Sequence, residues 1–175
     1  MLSLDKKVLS IKTNHFIRKN KVGRETVSYG NSRTIGLLYC VEDRAKHEVV
    51  CDFINNLKED GKIVKVLCFL GKNKENIDFK FDYFSYEDVS FWGNIKSEEI
   101  EKFINTQFDF LYNLDVKSNI LIDYILAKSK SKCRVGIYRE STTGLFEMMI
   151  KMDELKNLDK VAGQFLHYTK ELVNR

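Results

Sequence analysis

The residues able to carry chemistry are few and scattered. Histidine occurs three times, at His15, His47 and His167. None sits in an HExxH or paired His/Cys spacing, so no metal site is expected. The spacings of Cys40, Cys51, Cys68 and Cys133 match neither a zinc nor a redox pattern. They read as reduced thiols packed as small apolar groups. Ser141 lacks the GxSxG turn that exposes a nucleophile. No glycine-rich turn follows the first predicted strand and no GxxxxGK[ST] occurs, which argues against the two common kinds of nucleotide enzyme. No cofactor is expected, and the balance leans away from an enzyme.

Four polar residues remain at the ends of predicted strands: Asp43, Asp115, Arg139 and Ser141. In an open parallel sheet they would converge on a pocket, because ligands bind beyond the carboxyl ends of the strands. The plainer reading of Asp43 and Asp115 is helix capping. For Arg139 with Glu140 it is a surface ion pair. Tyr86, Phe91 and Trp92 form an aromatic cluster. It would either stack a base or sugar, or plug the end of a sheet, and the plug is the commoner outcome.

Charge is the sharper signal. The 175 residues carry a net charge of +4. Residues 1–34 hold eight Lys/Arg against two acids, a net of +6, which leaves the rest of the chain at −2. Lys6, Lys7, Lys12, Arg18, Lys19, Lys21, Arg24 and Arg33 therefore form a basic N-terminal arm. Such an arm tracks a phosphate backbone when its neighbours anchor it. The competing reading is a solvated leader whose apolar residues dock on the domain. Leu2, Leu4, Val8, Leu9 and Ile11 would then line a short helix.

The elements that must position these residues start at Thr34. Thr34–Cys40 and Ile63–Phe69 are continuous apolar runs, and Asp43–Asp60 between them has helical spacing, with Gly61 as its stop. A strand, helix, strand unit of this length pairs its strands in parallel. Further strands are expected at Phe79–Phe84, Phe108–Leu114, Cys133–Tyr138 and Phe146–Met152. Ser85 with Asp88 resembles a capping box. Ser97 caps a helix with Ile100, Phe103 and Ile104 inward, and Ser118–Lys128 forms another. A closing helix, Leu158–Asn174, buries Val161, Phe165, Tyr168 and Leu172. The alternation predicts a three-layer α/β sandwich with a mainly parallel, doubly wound, Rossmann-like sheet. The expected organisation is a 1–33 basic arm and a single 34–175 domain.

With 43% apolar and 31% charged residues the composition is that of a soluble globular protein. No apolar run reaches the roughly 20 residues that span a bilayer. Asp5, Lys6 and Lys7 interrupt any signal-peptide core, so a cytoplasmic location is expected.

Several stretches carry a resemblance: Thr34-Ile35-Gly36-Leu37-Leu38, Lys65–Phe69, Phe81–Phe84 followed by Phe91-Trp92-Gly93, Phe103–Asp109 and Ala127–Lys132. Together they resemble a family of small bacterial α/β proteins of unknown function. The resemblance implies a compact domain behind a basic leader and brings no activity with it. From Phe108 to Tyr138 the chain is also similar to the N-terminal half of heptosyltransferase-like glycosyltransferases. That likeness would imply a scaffold without its catalytic half. The expected function is a non-catalytic binding protein of a cytoplasmic assembly, with RNA or a ribonucleoprotein such as the ribosome as partner and a protein contact besides. The alternative is a small ligand-binding protein or enzyme of sugar or nucleotide metabolism, with its pocket at Asp43, Asp115, Arg139 and Ser141.

Overall fold

The computed structural model describes residues 6–25, 27–71, 81–152 and 158–172. Among them, six strands form one sheet: β1 Thr34–Val41, β2 Ile63–Leu70, β3 Asp82–Phe84, β4 Phe110–Asn113, β5 Cys133–Ile137 and β6 Met148–Ile150. Their order is β3-β2-β1-β4-β5-β6, and every neighbouring pair is parallel. The helices are α1 Lys6–Lys19, α2 Arg44–Glu59, α3 Glu98–Asn105, α4 Ile120–Lys128 and α5 Leu158–Lys170. This is the Rossmann-like α/β sandwich that the alternation of segments implies. Of the expected features, Leu2, Leu4, Phe79, Lys80 and Asn174 lie outside the described residues.

Strand β1 sits between β2 and β4 and is buried along most of its length. Its side chains alternate between two cores, as a strand with a period of two must. Ile35, Leu37 and Tyr39 pack with Val50, Phe53, Ile54 and Leu57 of α2 and with Val161 and Phe165 of α5. On the other face Leu38 joins Leu67, Leu111, the inner residues of α3 and α4, and Leu9 of α1. Capping follows the sequence closely. The Asp43 carboxylate accepts from Lys46 N at 2.7 Å, Ser97 Oγ accepts from Ile100 N, and Gly61 leaves α2 with a positive φ of 75°. The Ser85–Asp88 capping box is present, but it opens a single 3₁₀ turn, Tyr86–Asp88, and no longer helix.

On two helices the structure corrects which single residues face inward. On α1 the inward residues are Leu9, Thr13, Phe16 and Ile17. Ile11 lies about 200° round the helix from Leu9 and is 69% exposed. On α5 the buried line is Val161, Phe165 and Thr169, and Tyr168 turns outward. Thr169 is accommodated because its hydroxyl donates to the Phe165 carbonyl at 2.6 Å.

Helix α1 is part of the sandwich and packs against α4. The connection from β5 to β6 is a loop with one 3₁₀ turn, Glu140–Thr142, where a doubly wound sheet would ordinarily place a helix. Leu145 and Phe146 of that loop cover part of the sheet face, and α1 closes over them. A Cβ on Gly144 would stand 2.8 Å from Ile17 Cγ2.

The start of β1 is fastened by one carboxylate. Asp109 accepts from Arg33 N at 2.8 Å, Thr34 N at 3.0 Å, Thr34 Oγ at 3.1 Å and Lys132 Nζ at 2.9 Å. Burial works against its charge, but the Thr34 and Arg33 N–H groups and the Lys132 ammonium outweigh it and hold the carboxyl at about 2. The folded-state value is depressed. Its contribution is therefore complete above the ordinary carboxylate range near 4 and drains away as pH falls through about 2. Asp109→Asn is expected to lower stability by roughly 2 kcal/mol at neutral pH. The difference from wild type should shrink as urea titrations move from pH 5 to about 2.5.

Candidate nucleic-acid interface

Helix α1 contains five Lys/Arg and no acid. From Lys6 to Arg24 the chain has no Asp or Glu at all. With Leu9, Thr13, Phe16 and Ile17 turned inward, Lys6, Lys7, Arg18 and Lys19 are exposed, as are Lys21 and Arg33 beyond the helix. Arg18 and Lys19 stand in the last turn, where cations suit the helix dipole.

The remaining two basic positions serve the fold. Lys12 donates from Nζ to Asn94 Oδ1 at 2.7 Å. Arg24 donates to the carbonyls of Ser131 and Ser129 and lies 3.6 Å from Glu147. Asn20 Nδ2 donates to the Ala127 and Ser129 carbonyls at 2.8 and 3.0 Å. These are carbonyls at and just past the end of α4, which a helix cannot satisfy by itself. Burial, then the nearby Arg134 guanidinium, draw Arg24 down to about 10, so it stays charged at neutral pH. The Glu147 carboxylate is shared with Arg134, whose Nε and Nη2 donate to it side-on at 3.0 and 2.7 Å. Because Asn20 and Arg24 hold the chain on residues 127–131, exposed Lys19 and Lys21 come to the same edge as exposed Lys130.

The aromatic cluster divides. Tyr86 packs edge-on against Phe69, ring centroids 5.0 Å apart, and closes the end of the sheet as the plainer reading expects. Trp92 does not: it is 63% exposed. It rides on a tight loop in which Val89 bridges Ile95, Gly93 N donates to Ser90 O at 2.8 Å and Asn94 N donates to Ser90 Oγ at 3.0 Å. Gly93 has φ 69°, and a Cβ there would come 3.1 Å from Leu9 Cδ1 and 3.4 Å from Lys12 Cδ. The loop is thus seated on α1.

At the carboxyl ends of the strands the expected pocket residues meet a different arrangement. Asp115 is 2% exposed and caps no helix; α4 is capped by Asn119. The Asp115 carboxylate accepts from Cys40 N at 2.9 and 3.1 Å and from Lys46 Nζ at 2.7 Å, which ties β1 to the segment after β4. Burial disfavours the Lys46 ammonium, but Asp115 and Glu42 outweigh it and its pKa rises. Asp43 is occupied as the α2 cap and Ser141 is exposed. Arg139 turns inward and donates from Nη1 to the Val116 carbonyl at 3.0 Å, where a surface pair with Glu140 was expected. Its Nε and Nη2, and Oδ1 of Asp123, are buried without a hydrogen-bond partner. The sheet end therefore engages the Asp115 carboxylate with three hydrogen bonds, while Asp43 serves as a helix cap through one oxygen. Among the described residues no group of three or more His, Cys, Asp or Glu could hold a metal.

The docking of α1 agrees with the reading of a leader whose apolar residues pack on the domain, and α4 carries a signal for where it docks. In Ile120-Leu121-Ile122-Asp123-Tyr124-Ile125-Leu126-Ala127 apolar residues run round the whole helix, and all from Leu121 to Ala127 except Asp123 are buried. A helix that is apolar all round must be covered on more than one side.

Lys46→Met is expected to cost about 3–5 kcal/mol, because it strands the buried Asp115 carboxylate. Adding Asp115→Asn should recover part of that loss. Equilibrium urea unfolding of the two variants measures both.

The sequence model of a family of unknown function, DUF6913, matches residues 6–172, and the chain belongs to that family. The match takes in α1 together with the sheet. No curated protein and no solved structure matches the chain, so nothing there supports the likeness to heptosyltransferase-like glycosyltransferases.

Proposed function

We propose that this protein is a non-catalytic RNA-binding protein that works in a cytoplasmic ribonucleoprotein assembly such as the ribosome. The reading is carried by one observation: α1, a helix already docked, leaves Lys6, Lys7, Arg18 and Lys19 exposed to solvent. Phosphates are met by Lys and Arg with little regard to sequence, and the affinity is salt-dependent. A docked helix has its backbone ordered before binding, so only the ordering of the side chains opposes it. Lys21 and Lys130 extend the same surface past the end of the helix. Among the described residues no helix is long and apolar enough to cross a membrane, which is compatible with this role.

The second reading, a small-ligand site at Arg139 and Ser141, rests on the unpartnered Arg139 and Asp123 atoms. It is the weaker because Asp43 and Asp115 are already committed. It calls for a thermal shift with a sugar nucleotide.

The decisive variant is the triple exchange Arg18→Glu, Lys19→Glu and Lys21→Glu. These side chains are exposed, so circular dichroism and the melting temperature should stay close to wild type. Binding to a labelled single-stranded RNA should fall at least tenfold at about 0.1 M salt, with a flatter dependence on salt. In a sucrose gradient of cell lysate the wild type should travel with ribosomal particles and the variant should remain at the top. Unchanged RNA affinity in the variant would sink the proposal. Arg24→Glu is unsuitable for this purpose, since it would break the cap on α4.

A further inference from the structure

The loop that carries Trp92 lies against the same helix, and it adds a recognition element to the basic surface. We infer that Trp92 is a stacking platform for an unpaired nucleobase, so that the RNA bound along α1 is single-stranded. This rests on the RNA-binding reading above and names the class of RNA.

The loop is built to hold a large aromatic out in solvent. Its hairpin-like bonds close residues 89–95, Lys96 N donates to the Asp88 carbonyl at 2.9 Å, and the Lys12 ammonium pins Asn94 from the side of α1. Phe91 supports the indole edge-to-face at 5.2 Å. An indole left 63% exposed on a rigid loop forgoes the burial that ordinarily justifies a tryptophan. A flat base recovers that contact, and stacking tolerates any base because every base has a π-face. A base inside a duplex is already stacked on its neighbours and is not offered to the indole.

Beside the loop a groove of about 540 Å³ runs between α1, α3 and α4, with Ile11, Lys12, His15, Phe16, Asn94 and Lys128 among its walls. Its acid, Glu101, is met by Lys128 Nζ at 2.9 Å. A strand whose base stacks on Trp92 would thus pass over His15 and Lys12 on its way to Arg18 and Lys19. Charge complementarity selects this occupant: from Lys6 to Arg24 the surface offers cations and no acid. An anionic lipid surface would meet the same cations, and so becomes an outcome of the test.

Trp92 is the sole tryptophan of the chain, so emission excited beyond the tyrosine absorption band reports this site alone. Titration of the full chain with a 12-nucleotide unstructured RNA is expected to quench the emission in step with the anisotropy of the labelled RNA. Trp92→Ala should weaken binding about tenfold, and Trp92→Phe much less, with both variants folded by circular dichroism. A blunt duplex of equal length should bind more weakly and quench little. RNA binding with unchanged tryptophan emission, and with Trp92→Ala at wild-type affinity, would overturn the stacking role and leave the RNA reading intact. Equal affinity and quenching for the duplex would overturn the single-strand preference. No RNA binding at about 0.1 M salt would remove both readings together. A blue shift on vesicles of phosphatidylglycerol and phosphatidylcholine, with no quenching by RNA, would reassign the loop to a membrane surface.

Discussion

A sheet whose strands are all parallel has no face it can leave to water, and the rest of this structure follows from that constraint. Parallel pairing requires crossovers, and crossovers ordinarily bring the covering helices with them. Here α2 covers one face between β1 and β2, and α4 the other between β4 and β5. The passage from β5 to β6 brings only a loop, so that flank of the second face lacks its helix. The N-terminal segment supplies the cover. Leu9, Phe16 and Ile17 complete the core over α4, Leu145 and Phe146.

That substitution explains why the N-terminal segment has two chemistries. One face must be apolar to serve the core, and its end must bring hydrogen-bond donors to the carbonyls of residues 127–131. Asn20 and Arg24 meet the second demand. Neither demand sets the outer face, where Arg18 and Lys19 stand exposed. The cations of the segment thus sort into those the fold consumes, Lys12 and Arg24, and those it leaves at the surface. Charge counted along the chain cannot make this division, because Arg18 and Arg24 look alike in a sequence.

What was legible in the sequence follows the same line between local and non-local effects. The strand runs, the Asp43 and Ser97 caps, the Gly61 stop and the α/β class all depend on neighbours within a turn or two. They were readable for that reason. The docking of α1 depends on residues more than 100 positions away, and its trace was indirect, in the all-round apolarity of α4. Asp115 looked like a cap because acids at helix starts usually are caps. Its true partners, Cys40 N and Lys46, come from the other side of the β1–β4 junction, and only the strand order brings them together. Trp92 departs from the plug reading that Tyr86 bears out, because aromatic clusters usually bury as a unit and this one does not. The positive φ at Gly93 and the contact with Leu9 hold the loop in a course that separates the two.

The strand order also bears on where function can sit. In β3-β2-β1-β4-β5-β6 the connections part between β1 and β4, the position at which such sheets usually open a crevice for a ligand. Here that position holds Asp115 with the Lys46 ammonium and the Cys40 N–H. A carboxylate so buried and so bonded stiffens the junction and leaves little to offer a substrate. The usual site is spent on holding the sheet together. Meanwhile the segment recruited to complete the other face carries exposed cations beside an exposed indole. The proposed function accordingly lies on the exposed surface of α1 and away from the β1–β4 junction, where the Asp115 carboxylate already has its partners.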